Sequence, residues 1–309
     1  MSSPPWEPDR TLTREMASAL IREQFPAIES DGLTHLGSGW AFDAFLTTDG
    51  WVFRFPRRAW CADLLEPEQG VHRLVAEALP PAVAVPRMEL VGEPALGFPY
   101  RFAGHRFLPG IAADAVEPGL LPILAQEIGA AIGAIHALPE SAARAAGVSV
   151  PRADDGGGRE WLERGRRTAF TLRGLDPGVD RALGWLSEVS WPFPRFDGRL
   201  RLIHQDLSPE HVLADPATGH LVGILDWTDA ILGDPARDFV FLVTWRGWEL
   251  AEEVLRSYPH ALDPGFRERL RFMARLLSLM WLAMAHERRA DLSKFIAGVH
   301  HAFVPADRC

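Results

Sequence analysis

The part of this 309-residue chain whose residue types could do chemistry runs from His204 to Asp238. It reads His-Gln-Asp-Leu-Ser-Pro-Glu-His at 204 to 211, Ile-Leu-Asp-Trp at 224 to 227 and Gly-Asp-Pro-x-x-Asp at 233 to 238. Asp206 ends one short apolar run and opens a polar loop, and Asp226 ends a second run, Leu-Val-Gly-Ile-Leu. A carboxylate so placed can face a cleft. There it can take the proton of an incoming hydroxyl or fix a divalent cation over phosphates, the two tasks that phosphoryl transfer sets. A hairpin joining residues 212–214 to 221–225 carries both loop ends to one site. Singly, each aspartate is weak evidence, because a loop aspartate is more often a turn former or a helix cap. The joint pattern is hard to obtain by chance.

The elements that must position this segment fall into two textures. Residues 11–25 read as a helix with Met16, Leu20 and Ile21 on one side. Residues 33–40, 41–50 and 51–58 read as three antiparallel strands, punctuated by Gly-Ser-Gly and Asp-Gly. A helix at 64–78 and two extended segments within 90–108, around a turn at 92–94, complete a first unit, residues 1–108. Pro109 and Gly110 mark the change to a mainly helical unit, residues 109–309. Its clearest helices are 121–138, with Leu124, Ile128, Ile132 and Ile135 as a stripe, and 266–285. Weaker helical patterns at 159–171 and 177–188 follow a Gly-rich linkage, and the Pro-rich stretch 190–196 reads as irregular backbone.

Composition narrows the function. A formal charge of −9 argues against a surface that neutralises nucleic-acid phosphates. Two cysteines, Cys61 and Cys309, argue against a disulfide framework or a cysteine metal cluster. The start of the chain lacks an export pattern and no run offers roughly 18 uncharged apolar residues, so the expectation is a cytoplasmic protein without a membrane span. No pattern sets an oligomeric state. Lys294 is the only lysine. Any task usually given to an active-site lysine falls to arginine, since Lys294 is expected far from the nucleotide loops.

The 204–239 segment resembles the aminoglycoside phosphotransferase superfamily of small-molecule kinases. Their catalytic segment has the form H-x-D-x-x-x-x-N, and their metal-binding aspartate stands where protein kinases have Asp-Phe-Gly. The resemblance implies an α+β, bilobal protein-kinase-like fold with a small antiparallel-sheet lobe and a larger helical lobe. It implies Asp206 as catalytic aspartate, His204 as its orienting residue, Asp226 as Mg²⁺ ligand and Asp238 as a structural acid. GTP or ATP would be the phosphoryl donor and a small molecule the acceptor. His211 stands where the family has Asn, and magnesium prefers oxygen ligands. This either weakens the metal site or marks a subgroup. Macrolide phosphotransferases carry histidine here, and Trp-Val-Phe-Arg-Phe-Pro-Arg-Arg and Ser-Trp-Pro-Phe-Pro-Arg-Phe look like that subgroup too.

In such a kinase the first unit binds nucleotide. The backbone of Gly37, Ser38 and Gly39 would lie over the phosphates. Arg54, between Phe53 and Phe55, would be the phosphate-contacting cation, with Glu68 as its helix partner. Arginine suits this place because it stays charged and spans two acceptors. Arg57 and Arg58 are expected to face solvent. Residues 98–107, including Arg101 and Phe102, are read as the hinge between the lobes, where backbone groups would hold the planar base. Trp245, Trp248, Met273, Leu277 and Trp281 form candidate apolar walls for an acceptor, with core packing as their plainer role. A macrolide is the first acceptor expected, and an aminoglycoside or another hydroxylated metabolite the second. A weakly active nucleotide-binding module is the alternative class.

Overall fold

In the computed structural model, residues 7–150, 158–189, 196 and 198–304 are described. The stretches 190–195 and 151–157 and Cys309, on which some of the sequence readings fall, lie outside them. The first helix, α1 (Arg14–Gln24), starts later than residue 11 because the Thr13 hydroxyl accepts from the Met16 amide at 3.2 Å and caps it. Its Ala17, Leu20 and Ile21 are buried against a five-stranded antiparallel sheet. The strands are β1 (Thr34–Ser38), β2 (Phe42–Leu46), β3 (Trp51–Pro56), β4 (Leu90–Gly92) and β5 (Phe102–Arg106), ordered β1-β2-β3-β5-β4. Strand alternation sorts their side chains. Phe45, Phe53, Phe55 and Phe102 join α1 in one core, while Phe42 and Ala103 pack on the other side with Leu65 and Met88. Arg54 belongs to that second side, between its two phenylalanines in sequence and opposite to them in space.

Two helices follow β3, α2 (Ala59–Ala62) and α3 (Leu65–Ala78). The chain leaves β5 through residues 107–110 and enters the helical unit. There β6 (Ile111–Ala112) pairs with β8 (Val212–Ala214), which pairs with β9 (Leu221–Ile224), while β7 (Arg201–Ile203) pairs with β10 (Ile231–Gly233). The helices around them are α4 (Leu121–Ala137), α5 (Glu140–Ala145), α6 (Gly158–Ala169), α7 (Pro177–Glu188), α8 (Val240–Arg246), α9 (Trp248–Ser257), α10 (Phe266–Glu287) and α11 (Ser293–Phe303). Proline at the first position and Asp176, accepting from the amides of Gly178 and Val179, start α7 where its sequence pattern begins.

Residues 118–137 are long and apolar enough to cross a membrane by composition, but their predicted role as a buried helix is what packing supports. A side-chain carbon at Gly129 would stand 2.3 Å from the Val254 carbonyl oxygen, and one at Gly133 would stand 2.2 Å from Pro259. Glycine at these two positions lets α4 lie directly on α9 and on the residues that follow it. Glu127 of α4 reaches the other way and accepts from the Leu221 amide at 2.7 Å, tying the helix to β9.

Candidate active site

Asp238 is the floor of the site. It lies in a short 3₁₀ turn and is 1% exposed. Its carboxylate accepts from the amides of His204 (3.1 Å) and Gln205 (2.8 Å) and lies 3.0 Å from Nε2 of His136, whose Nδ1 meets the Tyr258 hydroxyl at 2.8 Å. Burial opposes its charge, but His136 and these bonds outweigh burial and hold the carboxyl below the usual range. The loop after β7 is thereby fixed from beneath. Gln205 takes φ 72°, the left-handed region that favours glycine, and its side chain donates to the Asp229 carbonyl at 2.8 Å. That bond helps to hold the strained turn.

His204 is completely buried on the Trp227 ring, centroid to centroid 4.5 Å. The Asp206 amide donates to its Nδ1 at 3.3 Å, so the proton sits on Nε2, which donates to the Leu225 carbonyl at 2.8 Å. Burial pushes its pKa down to about 4. A neutral imidazole bonded at both nitrogens is a brace between the two loops, and no lone pair remains for base chemistry.

His211 ties the two aspartates. Its Nδ1 donates to the Asp206 carbonyl at 2.8 Å and lies 3.5 Å from the Asp206 carboxylate, while Nε2 is 3.8 Å from Asp226 Oδ2. The Leu225 amide donates to the His211 carbonyl at 2.8 Å, which locks the loops together. Burial pushes the Asp206 carboxyl up to about 6, with His211 opposing and Asp229 and Asp226 adding to the rise. For His211, burial works against the charge, and the carboxylates of Asp206 and Asp226 overcome it and raise the imidazole. Burial also opposes ionisation of Asp226, yet Arg54 and then His211 hold it down at about 2. Asp226 too has a left-handed backbone, φ 54°, and Thr228 donates to its Oδ1 at 2.7 Å. The two carboxylates thus differ: one is firmly anionic, the other is poised to exchange a proton near neutral pH.

Arg54 completes the arrangement from the sheet. Its Nη1 donates to Glu68 of α3 at 2.6 Å, and its Nη2 is 3.1 Å from Thr228 and 3.4 Å from Asp226. The guanidinium lies over the Phe42 ring at 4.3 Å. Gly37 to Gly39 form the end of β1 and the turn into β2, where the Gly39 amide donates to the Phe42 carbonyl at 2.9 Å and Ser38 meets His35 at 3.2 Å. Arg54, Glu68, His204, Asp206, His211, Asp226 and Asp238 therefore form one connected network. Thr228, Asp229 and His136 belong to it as well and were missed. A hydroxyl two residues after Asp226 was the only sequence sign of Thr228.

Several expectations need correction. Phe102 is fully buried, stacked on Phe55 at 4.6 Å on the α1 side of the sheet, and Arg101 is exposed and pairs with Glu93 at 3.1 Å. Neither side chain meets the cleft, which leaves only their backbone groups for the base-holding role. The register Arg54↔Ala103 puts Ala103 and His105 on the cleft side, and the crossing between units comes later, at residues 107–110. Trp248, Met273 and Leu277 are core residues, only 4%, 6% and 4% exposed. Trp245 and Trp281 are half-buried, Trp281 stacked on Phe241 at 4.2 Å. Arg57 does not face solvent but pairs with Asp43 at 3.1 Å, and Arg58 lies 3.9 Å from Asp9. Lys294, expected far from the nucleotide loops, lies in α11 with its ammonium 3.7 Å from Glu210 of the helical unit.

Among the described residues no three ligand-type side chains cluster closely enough to cage a metal. What is present is the ionised Asp226 and Nε2 of His211, 3.8 Å from it. Asp226 supplies the oxygen that Mg²⁺ prefers, as the protein's share of a sphere completed by phosphate oxygens and water, and Nε2 of His211 would join it only as the neutral imidazole.

An antiparallel sheet lobe with a buried Arg–Glu pair, facing an aspartate-bearing double loop on a helical lobe, defines a kinase-like phosphotransferase. The chain belongs to the phosphotransferase enzyme family, whose model matches residues 32–283. Its fold is similar to that of the GDP and kanamycin complex of APH(2")-IIia, with TM-score 0.73, 24% identity, and 93% of this chain and 96% of that chain covered. It is also similar to macrolide 2'-phosphotransferase MphH from Brachybacterium faecium, with TM-score 0.62, 22% identity and 94% and 98% covered. The uncharacterized protein YcbJ of Bacillus subtilis (strain 168) is 40% identical over 78 residues, 25% of this chain and 24% of that protein.

Proposed function

We propose that this phosphotransferase moves the γ-phosphoryl group of GTP or ATP to a hydroxyl of a macrolide-like acceptor, with Mg²⁺. The observation that carries the reading is the pair of loop carboxylates bridged by His211, one anionic through Arg54 and the other raised to about 6. Asp206 accepts the proton as the acceptor oxygen bonds to the γ-phosphorus and the nucleoside diphosphate leaves. Arg54 offers its guanidinium to the phosphates while Glu68 keeps it on the cleft side of β3. Asp226 and His211 would hold Mg²⁺, which when bound neutralises charge on the phosphate oxygens. Asp238 and His204 keep the loop carrying Asp206 in place.

The half-buried aromatic set Phe241, Trp245 and Trp281 supports an acceptor with apolar area. The Lys294 ammonium, 3.7 Å from Glu210, flanks the catalytic segment and suits a polycation poorly. An aminoglycoside acceptor is the second reading, favoured by the likeness to a kanamycin complex. Incubation with GTP or ATP and a panel of macrolides and aminoglycosides, followed by mass measurement, separates the two. A gain of one phosphate on macrolides alone supports the first, and on aminoglycosides alone the second. Binding of nucleotide with no transfer to either would leave another hydroxylated metabolite as acceptor or a nucleotide-binding module.

A further inference from the structure

Asp226, Trp227, Thr228 and Asp229 follow one another between β9 and β10. Trp227 anchors the stretch: it is buried, its indole donates to the Ile224 carbonyl at 3.2 Å, and its own carbonyl accepts from the Ala230 amide at 3.1 Å. A buried ring and a closed turn thus fix the backbone on both sides of Thr228. Its hydroxyl stands 3.1 Å from Arg54 Nη2 and 2.7 Å from Asp226 Oδ1. A guanidinium can only donate, so the hydroxyl accepts from Arg54 and its single proton goes to Asp226. Arg54 Nη2 itself is 3.4 Å from the same oxygen, which makes the threonine the closer link between strand and carboxylate.

Asp226 needs such a link. Its left-handed backbone, φ 54°, sets where the side chain starts, but the carboxylate can still turn about its own bonds. With Oδ1 held by Thr228 and Arg54, Oδ2 is the oxygen on the His211 side, 3.8 Å from Nε2. We propose that Thr228 is a positioning residue of the phosphoryl-transfer site: its hydroxyl reserves Oδ1 of Asp226 and so keeps Oδ2 turned to the divalent cation that accompanies the nucleotide phosphates. The proposal rests on the kinase reading. A carboxylate that ligates a metal is itself held by hydrogen bonds, and removing such a partner typically lowers metal affinity about 10- to 100-fold. A threonine that only filled its turn would not need the hydroxyl. Valine keeps its shape and lacks that one group, so the two roles can be told apart.

The test is calorimetric binding of GTP and ATP to the parent chain, Thr228→Val and Thr228→Ser, in limiting Mg²⁺, in excess Mg²⁺ and in EDTA. Thr228→Val is expected to weaken nucleotide Kd about tenfold in limiting Mg²⁺ and less than about twofold in EDTA, and the deficit should close as Mg²⁺ is raised to excess. Thr228→Ser keeps the hydroxyl and should follow the parent in all three conditions. Equal weakening with and without Mg²⁺ would put the effect on Arg54 or on the fold and overturn the proposal, as would a Ser variant no better than Val. Thermal melts show whether the Val variant is folded, and if it is not, Thr228→Ala takes its place under the same criteria. The parent chain tests the kinase reading separately. If it binds neither nucleotide, that reading fails and the inference falls with it, whereas Mg²⁺-dependent binding that does not respond to Thr228→Val overturns the inference alone.

Discussion

The Arg54 guanidinium donates to Glu68 at 2.6 Å, and both side chains are buried, 8% and 2% exposed. Because its other nitrogen approaches Asp226, one arginine connects strand, helix and catalytic loop. Burial works against its charge, but Glu68 and Asp226 more than offset this, so the guanidinium stays charged.

Arg54→Ala should act on stability and binding together. It leaves Glu68 buried without its partner, costing about 3–5 kcal/mol, and should weaken nucleotide binding by roughly one to two orders of magnitude. Arg54→Lys should recover part of both, since an ammonium cannot span two acceptors in a fixed fork. Arg101→Ala, at an exposed ion pair, should change either by less than about 1 kcal/mol. Thermal melts and calorimetric nucleotide Kd values decide it, and equal effects at 54 and 101 would remove Arg54 from the phosphate contact.

His211→Asn should keep the fold and part of the Mg²⁺-dependent activity, because an amide can donate to the Asp206 carbonyl and offer an oxygen to a cation. His211→Leu can do neither and should lower kcat by about a hundredfold or more. A magnesium titration of both variants tests this. Equal activity in the two would show that the imidazole bridge between Asp206 and Asp226 is dispensable.

Asp206 sets the pH dependence. With its carboxyl raised to about 6, kcat/KM should increase as pH rises through about 6 and the base ionises. Stability has the opposite sign: a carboxyl raised on folding contributes stability that is complete below its unfolded pKa of about 3.9 and is lost as pH rises through about 6. Asp206→Asn should therefore melt higher than the parent at pH 7.5 and equal it near pH 4. An Asn variant that melts lower at pH 7.5 would contradict the raised carboxyl.

Asp238 behaves in the reverse manner. Its depressed carboxyl contributes stability above the unfolded pKa, lost as pH falls. Asp238→Asn at pH 7 should cost about 3 kcal/mol, since the buried loop amides and His136 lose a charged acceptor. Urea unfolding measures the loss, and kcat should fall with it.

Much of this site was legible because strand ends and polar loops mark Asp206 and Asp226, and because an arginine between two phenylalanines must find a buried partner. Phe102 and Arg101 sit at the start of a strand, and which side of a sheet a residue faces is fixed by register with β3, which one sequence does not display. Trp248, Met273 and Leu277 follow the same helical periodicity whether a face meets a core or a cleft. The pairing of Lys294 with Glu210 went unseen because the two residues come from distant elements. Contacts between elements far apart in the chain leave no local pattern.

The central claim is that Asp206 is the group that assists transfer. Its direct test is single-turnover phosphoryl transfer by Asp206→Ala to an acceptor the parent chain phosphorylates, alongside calorimetric nucleotide binding. The account predicts kcat lower by about 10² to 10⁴ with nucleotide Kd changed less than about threefold. Near-normal transfer by Asp206→Ala would contradict it.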